Sequence, residues 1–294
     1  MPESLKALRR RLRSIHNTQQ VTGAMEMVSA AKLRRAQGAL QAARPYIRKL
    51  EQLLGYLAPS AEAAGHPLFT QRRVHRSTLV LLTADRGLCG SYNSNLIRIA
   101  EHHLKEHRLG SMELVCVGRN GANYFGRRNW PIAATYPDFG GVLDREKSDG
   151  IAQTLLKRYT EGETDEIYFL YSTFISTSQS RPTYEKYLDL DLSTLLRNAP
   201  PEERKGYDYL FEPDRDRVFE SLLPMYLRSK VYITLAESFT SEHSARMLAM
   251  NNATKNCEEL ISTLTLRLNK ARQTSITSDL LDIVGGAEAL SSGA

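Results

Sequence analysis

The sequence predicts an α/β protein: a long antiparallel coiled coil made by the two ends of the chain, with a domain of mainly parallel sheet between them. Three observations carry this. Both ends repeat apolar residues at steps of three and four. No glycine or proline interrupts residues 225–284. The middle instead alternates short apolar runs with turn residues and amphipathic stretches.

At the N-terminus, Leu5, Leu8, Leu12 and Ile15 form an apolar stripe, which resumes at Leu33, Ala36, Leu40, Ala43, Ile47, Leu50, Leu54 and Leu57. The second run is a heptad seam of more than three repeats. The polar break between Ile15 and Leu33 reads as a stutter that shifts the phase. Gly23, Gly38 and Pro45 are expected weak points, with a bend at Pro45.

The C-terminal seam is Met250, Ala253, Cys257, Ile261, Leu264, Leu268 and Ala271. Sixty residues of helix span about 90 Å, too long to be buried inside a chain of 294 residues. Such a helix has to lie against another long helix or enter another protein, and the N-terminal segment is its natural mate. The C-terminal helix is the longer, so its last turns are expected to stand alone.

Between the helices, "STLVLLTADRG" (77–87), "MELVCVGRNG" (112–121) and "EIYFLYSTF" (166–174) read as buried strands. "SNLIRIAEHHLKEH" (94–107) and "SDGIAQTLLKRYTEG" (148–162) read as the connecting helices, giving a Rossmann-like α/β domain. Stretches 58–70 and 190–213 read as linkers. The expected division is 1–60 for the first helix, 61–205 for the α/β domain and 206–294 for the last helix.

The formal charge of +6 is concentrated at the start, where residues 1–49 hold eleven lysines and arginines against Glu3 and Glu26. This basic helix should attract an acidic partner: nucleic acid, an anionic membrane or an acidic protein surface. The absence of aromatic interleaving and of a DNA-binding pattern favours a protein. An Arg-rich start also suits a transit peptide, but the helical pattern runs past residue 50. Three dispersed cysteines, Cys89, Cys116 and Cys257, make neither a disulfide framework nor a zinc spacing and point to a reducing compartment. No apolar run approaches the ~18 residues of a membrane span.

Enzyme-like features are weak. "TADRGLCGSYN" (83–93) follows a strand and holds a cysteine, but Asn95 stands where a phosphate-cradling arginine would be needed. "VGRNG" (117–121) has GxxG spacing rather than GxGxxG, and no GxxxxGK[ST] loop is present. His102, His103 and His107 share a helix without a carboxylate at the HExxH spacing. Turns and a solvated helix face explain all three.

Several long motifs resemble the gamma subunit of F-type ATP synthases, in that family's order: "SIHNTQQVTGAMEMVSAAKLRRAQ" (14–37), "TADRGLCGSYN", "FISTSQSRP" (174–182), "YLFEPD" (209–214), "SEHSARMLAMNNATKNCEEL" (241–260) and "NKARQTSITSDLLDIVGGAEAL" (269–290). Gln20 and Gly23 stand where the family often has lysine or arginine, Ser91 replaces a common glycine, and Asp279 stands where glutamate is frequent.

The resemblance implies a non-catalytic rotor shaft without a cofactor or metal. The implied partners are three alpha and three beta subunits, epsilon and the ring of c subunits. Membrane association would be through the complex only, at the cytoplasmic face of a bacterial plasma membrane or at an energy-transducing inner membrane. It implies contacts to the alpha/beta ring at Met25, Arg246, Gln273, Thr277, Asp279, Leu280, Ile283 and Val284. Arg9, Arg10, Arg34 and Arg35 would face an acidic loop. A coiled-coil adaptor without a rotary role, and an enzyme using Cys89, remain alternatives on the residues alone.

Overall fold

The computed structural model describes residues 4–63, 68, 73–106, 111–188 and 211–291. The expected linker 190–213 and the "YLFEPD" segment fall largely outside them, as do His107 and most of residues 64–72. The chain forms two compact units. One comprises residues 1–28 with 249–294, the other residues 29–248. Helices α1 (Leu5–Ala63) and α5 (Arg215–Ser291) each contribute to both.

The larger unit is built on a five-stranded sheet among the described residues. Its strands are β1 (Ser77–Leu82), β2 (Met112–Val117), β3 (Ile132–Tyr136), β4 (Glu166–Phe174) and β5 (Ser180–Leu188), in the order β3-β2-β1-β4-β5. β4 pairs parallel with β1, as β1 does with β2 and β2 with β3, while β5 runs antiparallel to β4. Helices α2 (Tyr92–Glu106), α3 (Arg119–Gly126) and α4 (Arg145–Thr160) link the parallel strands. Strand β1 is buried at every position, as a central strand covered on both faces must be.

Alternation along β1 sorts the core. Leu79 and Leu81 pack with Leu96, Ala100 and Leu104 of α2 and Phe125 of α3. Val80 and Leu82 belong to the other face, with Ile151 and Leu155 of α4, Ile47, Leu50 and Leu54 of α1, and Phe219, Val231 and Phe239 of α5. The long helices are therefore part of the α/β core and not an addition to it. Gly118, after β2, has φ +89°, and a Cβ there would lie 2.0 Å from the Thr83 carbonyl oxygen, so only glycine fits.

Several expectations are corrected. Helix α1 continues through Gly23, Gly38 and Pro45 to Ala63, so 58–63 is helix rather than linker. Helix α5 begins at Arg215 and contains Pro224. Asp214 starts it by accepting a hydrogen bond from the Arg217 N–H at 2.8 Å, a cap that outweighs one lost backbone donor. "VGRNG" opens α3 rather than a simple turn. Strands β3 and β5 went unrecognised because both lie at sheet edges and lack continuous burial.

In the smaller unit, α1 and α5 run antiparallel. Gln19 donates to Glu258 at 3.3 Å, Thr254 donates to Thr22 at 2.8 Å, and Asn251 donates to Glu26 at 2.9 Å. These polar residues fill the supposed break in the seam. The steps 15, 19, 22, 26, 29, 33 alternate four and three, so the phase never shifts and the predicted stutter does not exist. Apolar layers take over beyond them: Leu8, Met250, Cys257 and Leu264 are buried.

Candidate functional site

Residues 234–244 of α5 are eleven consecutive buried positions. An all-round buried helix is normally apolar, yet this one reads TLAESFTSEHS. Its polar side chains are engaged by loops of the α/β unit. Glu237 accepts from the Phe174 N–H at 2.9 Å and pairs with Arg44 of α1 at 2.8 Å. The Ser241 and Ser244 hydroxyls donate to the Ser172 and Thr177 carbonyls at 2.8 and 2.6 Å. Tyr92 and Ser238 share a hydrogen bond at 2.7 Å.

His243 and Arg246 complete the set. The His243 Nε2 lies 2.7 Å from the Gly141 carbonyl oxygen, so that nitrogen carries the proton and donates. Gly141 has φ +68°, and a Cβ on it would lie 2.4 Å from the same Nε2. Burial pushes the His243 pKa down to about 4, assisted by the Arg246 and Lys32 charges and opposed by the Gly141 bond. Arg246 pairs with buried Glu242 at 2.7 Å and donates to the Arg86 and Gly87 carbonyls at 3.0 and 3.3 Å. Burial raises the Glu242 pKa, and the Arg246 charge opposes it.

These contacts lie at one defined place in the fold. The chain runs from β1 outward to β2 and β3, then returns to β4 on the other side of β1. Doubly wound sheets hold ligands at such a switch point, beyond the carboxyl ends of the strands. Here the loops following β1 and β4 grip α5 instead.

The "TADRG" loop serves the same architecture. The Asp85 carboxylate accepts from the backbone N–H groups of Arg119, Asp138 and Gly140 at 3.1, 3.0 and 2.7 Å. It thereby ties the loops after β2 and β3 to the one after β1. Cys89 is buried, its thiol pKa raised by that burial, and Asn93 lies 3.3 Å from its sulfur. His102 pairs with Glu106 at 3.2 Å, while His103 stacks on Tyr184 at 4.1 Å. Among the described residues no group of three or more His, Cys, Asp or Glu could hold a metal, and no helix is long and apolar enough to cross a membrane.

The residues expected to meet a partner divide into two groups. Arg9, Arg10, Arg34, Arg35, Gln273, Thr277, Asp279, Leu280, Ile283 and Val284 are exposed, and Met25 is half-buried. Leu280, Leu281, Ile283 and Val284 expose 57–69% of their surface, an apolar cluster in water. The threonine hydroxyls of this helix turn inward: Thr263, Thr265, Thr274 and Thr277 each donate to the carbonyl four residues earlier. Arg246 differs from the group. It is 8% exposed, held by its own chain, and is not presented to a partner.

The sequence model of the ATP synthase family matches residues 4–290. The ATP synthase gamma chain of Moorella thermoacetica is 43% identical over 287 residues, covering 97% of this chain and 99% of that one. The chain belongs to the ATP synthase gamma-chain family. The gamma chain of Desulforamulus reducens is 41% identical, with 98% and 99% covered. Among solved structures, a chain of the Euglena gracilis mitochondrial ATP synthase (OSCP/F1/c-ring) shares the fold with a TM-score of 0.68 at 18% identity, covering 98% of this chain and 95% of that one. A chain from the Tetrahymena thermophila central stalk and c-ring gives 0.59 at 22% identity, with 79% and 99% covered.

Proposed function

We propose that this gamma-family chain is the central rotor shaft of an F-type ATP synthase. It couples ion-driven rotation of the c-subunit ring to the cycling of three catalytic beta subunits and carries no catalytic site itself. Full-length identity above 40% to gamma chains supports the reading most directly. Its partners are the alpha and beta subunits, epsilon and the c ring. It is peripheral to the membrane through them, on the cytoplasmic face of a bacterial plasma membrane or at an energy-transducing inner membrane. The divisions 1–60, 61–205 and 206–294 then correspond to shaft, α/β domain and shaft.

The physics suits the role. Apolar contact is non-directional, so Leu280, Ile283 and Val284 can turn within a greasy collar of alpha and beta without locking one angle. Gln273, Thr277, Asp279 and Met25 supply angle-dependent contacts, and Arg9, Arg10, Arg34 and Arg35 meet acidic surface on beta. Rotor angle thereby sets which conformation each beta subunit favours. Arg246 acts indirectly, through the Arg86–Gly87 loop that it holds.

ATP hydrolysis by alpha and beta subunits with and without this chain tests the proposal. A stable complex with sharply raised turnover at one copy per three beta subunits is expected. No complex and no rate change, under conditions where another gamma chain acts, would leave an adaptor role.

A further inference from the structure

We infer that the polar segment Glu237–Arg246 is a keyed joint that fixes the angle of α5 in the α/β unit, so that turning moment passes between them through hydrogen bonds. The inference rests on the shaft reading. Its basis is directional. A helix in an apolar sleeve can rotate about its axis with little loss, because dispersion and hydrophobic contact have no preferred angle. A helix held by hydrogen bonds cannot, since these weaken steeply once bent.

The contacts also surround the helix. At about 100° per residue, Glu237, Ser241, Ser238, Arg246, His243 and Ser244 fall at about 0, 40, 100, 180, 240 and 340° around the axis. No gap exceeds about 100°. Rotation in either sense, or sliding along the axis, therefore strains every one of them. Their counterparts are spread over three loops, those after β1, β3 and β4, and Asp85 braces the first to the third-strand loop. The crevice that doubly wound sheets keep open for a ligand has become the socket of this joint.

The test is the angular spread of the α/β unit, followed by a bead on that unit in a halted complex whose alpha/beta ring is fixed. Ser238→Ala, Ser241→Ala and Ser244→Ala together remove three of the six keyed side chains with little change of volume. Parallel restraints add, so roughly half the angular stiffness should go and the variance of the bead angle should rise about twofold. Ser241→Thr, which keeps the hydroxyl, should retain the unmodified spread, something a purely volumetric role would not predict.

Unchanged variance in the triple variant would overturn the joint while leaving the shaft reading intact. If the triple variant does not assemble, Ser241→Ala and Ser244→Ala singly should each broaden the distribution by a smaller step, and no broadening in either sinks the idea. A complex of the unmodified chain that never rotates would instead refute the shaft reading, and the joint with it.

Discussion

Acid should weaken this protein through one buried ring. His243 is 1% exposed, donates from Nε2 to the Gly141 carbonyl, and turns Nδ1 toward the Arg246 Nη1 at 3.4 Å. Lys32 of α1 adds a second positive charge nearby, and Glu242 is the adjacent carboxylate. A proton on Nδ1 would face the guanidinium. The folded ring therefore takes its proton only near pH 4, against about 6.5 when unfolded. Above pH 6.5 both states hold the ring neutral and it contributes no pH dependence. Between 6.5 and 4 the unfolded chain binds the extra proton, so stability falls as pH falls, by about 2 kcal/mol between pH 7 and pH 5.

The assay is urea unfolding of the full chain at those two pH values, with His243→Gln alongside. Glutamine keeps a donor for Gly141 but does not titrate. The variant starts less stable, yet its loss between pH 7 and 5 should be about 2 kcal/mol smaller than that of the unmodified chain. Taking the difference cancels the other carboxylates, including Glu242, whose raised pKa acts in the opposite sense. Equal losses in the two proteins would refute the argument.

Three further outcomes are expected. Gly118→Ala meets both the left-handed backbone and the Thr83 oxygen 2.0 Å away, so denaturation should show a loss of about 3 kcal/mol or more. Cys89→Ala should cost about 1 kcal/mol of stability and leave ATP hydrolysis by the reconstituted complex at its unmodified level; loss of most turnover would revive a thiol-based activity. Ending the chain after Asp279 removes exposed side chains, so its unfolding midpoint should hold within about 0.5 kcal/mol while stimulation of alpha–beta turnover drops, and full stimulation would remove the apolar tip from the bearing.

Periodicity made the long helices legible, and apolar runs did the same for β1, β2 and β4. What escaped was set by context. Edge strands β3 and β5 have mixed burial and so carry no unbroken apolar signal. Gln19, Thr22 and Glu26 kept the heptad spacing, but a search for apolar residues passed over them. The joint was hidden for the opposite reason: Glu237, Ser241 and His243 look like a solvated face until loops from distant parts of the sequence close around them. Arg246 was recognised as important through its motif, but its surroundings, Glu242 and two carbonyls, could be read only from the fold.

The inward-turned threonines of α5 bear on friction. Resistance in a rotating bearing comes largely from bonds that form at one angle and must be broken to leave it. Thr263, Thr265, Thr274 and Thr277 have their hydroxyls already committed to the helix backbone, so each shows its surroundings chiefly a methyl group. A surface that reads as polar in the sequence thus has few places to stick, and Thr277 can grip a neighbour only by first giving up a bond of its own. Such a helix can stay soluble before assembly and still slip smoothly from one angle to the next.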